Sequence, residues 1–287
     1  MEQKHLSLGL CFFGSQLFYA VNEPNAPNSL ARIGSFDFNT DTTKMLMGQS
    51  LAHFRGINQT ISQLKEEYGI RHLRIHSFPK QECWTTVPKI VYDNADERER
   101  YISILMRETD RSEIHPTWYN LSNQDYKFLL LRTDHYQSNL QKLSTNTSST
   151  DLISDFEIGT RWTQHANPGG SFMTIGCFEN CISISSFILG KLRGATYLTF
   201  QEPENLPYFW LQSSKELGWM NGLHEKIYVY GINTFQIIDL LKSFWDDSGT
   251  VSKMNTLERM QIEADESTYG FALEKAFPAI MLALNYN

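Results

Sequence analysis

Alternation of apolar and polar positions is densest over residues 171–201, SFMTIGCFENCISISSFILGKLRGATYLTFQ, where it predicts three consecutive strands joined by two tight turns. A diluted copy of this pattern opens the chain. Residues 5–13 are rich in strand formers, Gly14-Ser15-Gln16 signals a turn, 17–21 returns, and 30–38 reads as a third strand. Between the second and third strands lies NEPNAPN (22–28), a loop whose prolines and asparagines disfavour both helix and ladder. Residues 41–44 read as another turn.

The period then lengthens. Leu51, Phe54, Ile57, Ile61, Leu64 and Tyr68 recur at helical steps, predicting a helix over 50–68 with Gly69 as its C-cap. A strand over 71–78 follows, ended by Pro79, and then an extended piece over 84–92 in which Pro88 marks an edge or a break. Residues 94–109 read as a helix starting near Asn94 or Asp96, with Tyr101, Ile102 and Leu105 on its apolar face. Residues 114–121 read as extended and broken by Pro116, 126–131 as a strand, and 134–143 as a short helix. STNTSST at 144–150 is a low-complexity loop, and 156–162 reads as a strand. Asn167-Pro168-Gly169-Gly170 is a dense turn cluster just before the second meander. After that meander the pattern predicts a helix over 204–217, a strand over 226–230, a helix over 234–245, a short strand over 254–260 and a final amphipathic helix over 271–284.

The two meanders can be set side by side. Leu6-Ser7-Leu8-Gly9 and Met173-Thr174-Ile175-Gly176 share an apolar, hydroxyl, aliphatic, glycine order, and Cys11-Phe12 and Cys177-Phe178 follow with a one-residue slip. Strings this short recur by chance. The stronger signal is that each copy continues as strand, strand, strand, helix, strand, helix. The order predicts two related halves, residues 1–166 and 167–287.

Duplicated halves of this order resemble the actin-like ATPase superfamily, which includes sugar kinases, heat-shock chaperones, and pilus and cell-division proteins related to actin. More narrowly, the LSLG…FGSQLFYAV opening, the MTIGCFENCISISSF repeat and the terminal helix resemble an uncharacterised bacterial family with the actin-like ATPase fold. The resemblance covers nearly the whole chain and rests on degenerate motifs. It implies an α/β fold of two RNase H-like halves, each a mixed sheet flanked by helices, with a cleft between them. In active members each first hairpin carries an Asp and a glycine-rich turn. These place backbone N–H groups on phosphates and orient magnesium and water. Here no acid stands between Leu8 and Phe12. What the resemblance leaves as candidate cleft positions is Gly14 and Ser15 at the first turn, Glu179 and Asn180 at the second, and Gly231 after the later strand.

Composition narrows the remaining classes. The 287 residues are 41% hydrophobic, 13% aromatic and 20% charged, enough apolar material for one large domain or two smaller ones. A net charge of −7 argues against a nucleic-acid binder, which usually presents a basic face. No run approaches the ~18 apolar residues of a spanning helix, and the N-terminus lacks the features of a signal peptide, so no membrane association is expected. Four cysteines in a chain of this length suit reduced, buried thiols in a cytoplasm. Cys177 and Cys181 are predicted on adjacent strands of a hairpin rather than at a metal.

None of GxxxxGK[ST], GxGxxG after a strand, GxSxG or HExxH occurs. Asp155 and Glu157 would share a face if 156–162 were a strand, the arrangement an RNase H-like nuclease would use; a solvated edge is the alternative. His72 and His76 could also share a strand face, with surface or packing roles favoured over a ligand pair. Tyr208, Phe209, Trp210, Trp219 and Met220 form an aromatic region that is either helix-on-sheet packing or a partner surface.

The expectation is a non-catalytic, actin-like binding or scaffolding module of the cytoplasm with a protein partner and no required cofactor. The alternative is a divergent ATPase or kinase holding magnesium-ATP in the cleft. The third reading is the nuclease.

Overall fold

The computed structural model describes residues 6–23, 29–42, 51–134, 138, 143, 149–166, 168–222, 224–245, 250–255, 262 and 271–284. β1 (Ser7–Phe13), β2 (Gln16–Asn22) and β3 (Leu30–Asp37) form an antiparallel meander. β4 (His72–His76) and β8 (Ser149–Ile153) extend it in parallel, giving the order β3-β2-β1-β4-β8. β1 is buried along its whole length, which is why it reads as a near-continuous apolar run rather than an alternation. α1 (Leu51–Tyr68) buries Ile57, Ile61 and Leu64 and stops at Gly69, whose φ of +63° suits a C-terminal glycine cap.

The second meander, β9 (Ser171–Phe178), β10 (Cys181–Ile188) and β11 (Lys191–Thr199), is likewise extended in parallel. With β12 (Lys226–Gly231) and β13 (Val251–Lys253) its order is β11-β10-β9-β12-β13, the same order as the first sheet. α5 (Leu206–Glu216) and α6 (Thr234–Leu241) cover its outer face over Ile175, Ile182, Ile184 and Val229. Trp210 and Met220 are buried in this layer, while Tyr208 is 66% exposed, so the aromatic region divides between packing and surface.

Between β4 and β8 the chain inserts a small unit. β5 (Cys83–Pro88), β6 (Ile114–Asn120) and β7 (Tyr126–Thr133) form an antiparallel sheet of order β5-β7-β6. α2 (Lys89–Asp93) and α3 (Ala95–Leu105) pack on it around Val87, Ile102, Ile114, Leu129 and Leu131. Asn94 caps α3 by accepting from the N–H groups of Asp96 and Glu97. Pro116 does not break β6, because β6 is an edge strand and its missing N–H costs no ladder bond on the open side.

Two helices cross between the sheets. α4 (Asp155–Ala166) follows β8 yet packs against β9, β10 and β11. α7 (Leu273–Ala283) follows the second sheet yet packs against β1, β2 and β4 as well as β12 and α4. Arg74 Nη1 donates to the carbonyls of Leu282 (2.9 Å) and Leu284 (3.4 Å), satisfying the C-terminal end of α7.

Several expectations change. Residues 156–162 are helical, within α4, and not a strand. Phe156 and Ile158 mimic strand alternation, but Trp162 completes a helical face, and Ser154-x-x-Glu157 is a capping-box pattern. Ser149 and Thr150 belong to β8, so the hydroxyl-rich stretch is not loop to its end. Residues 89–92 are in α2 because Pro88 ends the strand. α7 is not amphipathic in its setting: every residue from Ala276 to Ala283 is buried, since the helix lies between two layers. β13 lies at Val251–Lys253, ahead of the strand expected at 254–260. Residues 24–28, 43–44, 135–137, 139–142, 144–148, 167 and 256–260, which carry parts of the loop, turn, helix and strand expectations, lie outside the described residues.

Candidate functional site

β1 and β9 each run into a two-residue hairpin turn. Phe13 pairs with Gln16 across Gly14-Ser15, and Phe178 pairs with Cys181 across Glu179-Asn180. Phe13 and Phe178 are therefore equivalent positions, a register different from the one that aligns Gly9 with Gly176. The two turns open onto one cavity of about 170 Å3, lined by Gly14, Glu179 and Asn180 together with Phe12, Phe13, Phe78 and Phe178. Ser15 and Gly231 lie outside that lining. The Ser15 hydroxyl bonds the Asp37 carboxylate, helping to hold it below the usual carboxylate range, after the larger effect of the Asn39 N–H. Gly231, at φ +99°, presses on β9, where a Cβ would fall 2.2 Å from the Cys177 carbonyl oxygen.

Aromatic rings fill the space behind the turns. Phe13 and Phe178 stand 5.3 Å apart between ring centroids, and His76 stacks on Phe178 at 5.9 Å with 14° between planes. All three are buried. The cavity that remains is smaller than the ~300–1,000 Å3 typical of small-molecule pockets.

Beneath the rings lies a buried carboxylate. Asp155, in the first turn of α4, is 1% exposed. Its Oδ1 is 2.7 Å from His76 Nε2, and its Oδ2 accepts from Tyr230 Oη at 2.8 Å and from Ser183 Oγ. The registers make two of these donors equivalent. Leu10 opposes Ile75 and Ile175 opposes Val229, so the next residues, His76 and Tyr230, occupy matching places at the ends of β4 and β12. One carboxylate thus ties the central strands of both sheets. Gly176 leaves room for it: a Cβ there would come 2.5 Å from Ser183 Oγ and 3.0 Å from Asp155 Oδ2. Among the described residues His76 Nδ1 has no hydrogen-bond partner.

A second buried cluster lies alongside. Glu82 accepts from Arg132 Nε at 2.7 Å, from Trp84 Nε1 at 2.7 Å, and from the Ser154 hydroxyl. Tyr197 Oη donates to the Glu82 backbone carbonyl at 2.9 Å, joining the inserted unit to β11.

Asp155 and Glu157 do not share a strand face. On α4 they point apart, Asp155 into the core and Glu157 toward the inserted unit. Asp155 is not a solvated edge either, and His76 is buried rather than at the surface. A helix places residues two apart on different sides, so the paired-carboxylate geometry of a nuclease does not form. Sequence reasoning missed the cluster of His76, Asp155, Ser183 and Tyr230 because four separate segments supply it; the capping box at Ser154 was the one local signal pointing to a helix there.

Burial pushes the Glu157 carboxyl up from its ordinary value, against the lowering effect of the Ser154 N–H, which donates to its Oε1 at 3.0 Å, and of Arg132. The sign follows. Between the ordinary and the raised pKa the folded state holds more protons than the unfolded one, so stability falls as pH rises through that window. Glu157→Gln keeps the Ser154 contact and removes the titration. Unfolding midpoints followed against pH should show this variant gaining on the wild type as pH rises through the window; a constant difference would refute the assignment.

Burial also raises the thiols of Cys11 and Cys177, and pushes Cys181 up to about 12, holding them protonated and poorly suited to metal. No described helix is long and apolar enough to cross a membrane.

No family model matches the chain, and no curated protein matches it in sequence. Solved structures do match in shape. A chain of a PilM–PilN type IV pilus biogenesis complex aligns over 97% of this chain and 97% of its own length, with a TM-score of 0.68 and 14% identity. A Bacteroides thetaiotaomicron protein with an actin-like ATPase fold and unknown function aligns over 90% of this chain and 96% of its own, with a TM-score of 0.54 and 14% identity. The chain has the actin-like ATPase fold.

Proposed function

We propose that this chain is a non-catalytic actin-like protein that serves as a binding or scaffolding module for a protein partner in a bacterial cytoplasm. The observation that carries this reading is the packing of Phe13, Phe178 and His76 where the hairpin turns of the two halves meet. Phosphates held between such turns need exposed backbone N–H groups and room for a metal. Buried aromatic rings offer neither. The buried carboxylate next to them is spent on three protein donors and is withdrawn from solvent. A neighbour of similar shape comes from a PilM–PilN type IV pilus biogenesis complex, which supports this reading. The matching sheet orders, and the equivalence of His76 with Tyr230, support a duplication whose halves are residues 1–166 and 167–287.

Thermal unfolding with and without millimolar magnesium-ATP tests the reading. A ligand that binds only the folded state raises the midpoint by mass action. No magnesium-dependent rise is expected. A rise of several degrees that needs magnesium would favour the divergent ATPase or kinase, with Gly14, Ser15, Glu179, Asn180 and Gly231 as its cleft positions.

A further inference from the structure

A larger cavity lies elsewhere, where the inserted unit meets α4 and the β10–β11 turn. It encloses about 650 Å3, within the ~300–1,000 Å3 range of small-molecule sites. β10 separates it from the turn at Glu179-Asn180, since the β10–β11 turn lies at the other end of that strand, about 25 Å away at the rise of an antiparallel strand.

Its charge runs against that of the whole protein. The chain carries 25 basic and 32 acidic side chains, yet the cavity is lined by Lys89, Lys127, Arg161 and Lys191 and by one acid, Glu157. Burial raises the Glu157 carboxyl above its ordinary value, while the charges of Arg132 and Arg161 act to lower it. Arg161 is 8% exposed, so a guanidinium charge is held in the wall where water solvates it poorly. Its field is felt nearby: after burial, the Arg161 charge is the next cause lowering His165. Lys89 and Lys191 line the cavity and are exposed, one on the inserted unit and one on the second sheet. Phe156, Tyr119 and Tyr126 supply flat apolar wall. The Ser122 N–H donates to the Leu192 carbonyl at 2.7 Å, joining the inserted unit to β11 beside the cavity.

We propose that this cavity binds a small organic anion, with phosphate or carboxylate groups between Arg161 and the two exposed lysines and a planar or apolar body against Phe156 and the tyrosines. A preformed concave site with one sign of charge and a low-dielectric wall concentrates such ligands and fixes their orientation. The site stands independently of any protein partner.

Calorimetric titration and thermal unfolding of the full chain, with phenyl phosphate, pyrophosphate and citrate as separate probes, test it. At least one probe should bind and raise the midpoint, more weakly as salt increases. Phosphate probes alone would assign a phosphorylated ligand, citrate alone a polycarboxylate, and either supports the site. Lys89→Glu with Lys191→Glu, both at exposed positions that leave the core intact, should weaken binding by about tenfold or more. Binding by no probe, or equal binding by this double variant, overturns the proposal. Magnesium-ATP belongs in the same series. A rise that the double variant abolishes comes from this cavity, and one that survives comes from the hairpin cleft and bears on the scaffolding reading instead.

Discussion

Asp155→Ala should lower the unfolding midpoint more than truncation of any other polar side chain at the cleft. The carboxylate is 1% exposed and accepts from His76, Ser183 and Tyr230. Removing it leaves three donors buried without an acceptor, and breaking a buried polar network from one side costs on the order of 3–5 kcal/mol. At ~2–4 °C per kcal/mol for a chain near this size, the midpoint should drop by about 10 °C. Denaturant and thermal unfolding both measure it. The cost should shrink when Asp155→Ala is placed on a background of His76→Phe and Tyr230→Phe, because fewer donors are then orphaned. A midpoint unchanged by Asp155→Ala, or a cost that the background leaves untouched, would mean that the carboxylate does not tie the two sheets together.

The same residue shows how far the sequence could be read. The two meanders were legible because their strands are long, their turns fall at Gly14-Ser15 and Glu179-Asn180, and their hydrophobic runs end where the turns begin. Their continuation into a helix and a parallel strand was also legible, and with it the fold. α4 was not. Phe156 and Ile158 alternate as a strand would, and a window that short cannot separate the two periods. With α4 taken as a strand, Asp155 and Glu157 fell on one face and suggested nuclease chemistry that the helix abolishes. β8 was hidden by its hydroxyl-rich start, because it is short and forms the edge of the sheet beside β4, where pairing rather than hydrophobicity holds it. The cleft positions came from a resemblance. Of these, Gly14, Glu179 and Asn180 meet at one small cavity, whereas the aromatic filling behind them depends on long-range contacts that no local pattern carries.

The charge of the large cavity was hidden for a related reason. Lys89, Lys127, Arg161 and Lys191 come from α2, β7, α4 and β11, and each is flanked in sequence by neutral residues. A net charge of −7 describes the whole surface and says little about one concavity. Convergence of separated segments therefore produces both the buried acid that links the two five-stranded sheets and the basic pocket beside the inserted unit.

Gly9→Ala should destabilise the protein by about 3 kcal/mol, at the upper end of what overpacking a core costs. Gly9 lies on β1 where α7 crosses, and a Cβ there would come 2.1 Å from the Ala279 carbonyl oxygen and 2.6 Å from the Ala283 nitrogen. Both are backbone atoms, so relief requires moving the helix rather than rotating a side chain. The helix is held: Ala276 to Ala283 are buried on all sides, and Arg74 grips the carbonyls of Leu282 and Leu284. Gly56 provides the contrast, because a Cβ added to it meets nothing within 4 Å. It lies inside α1, where glycine costs roughly 0.5–1 kcal/mol relative to alanine, so Gly56→Ala should stabilise. The same one-carbon change should thus shift the unfolding midpoint down at Gly9 and up at Gly56. If Gly9→Ala proves neutral, α7 does not lie against β1 at backbone distance, and the layer joining the two sheets is built differently.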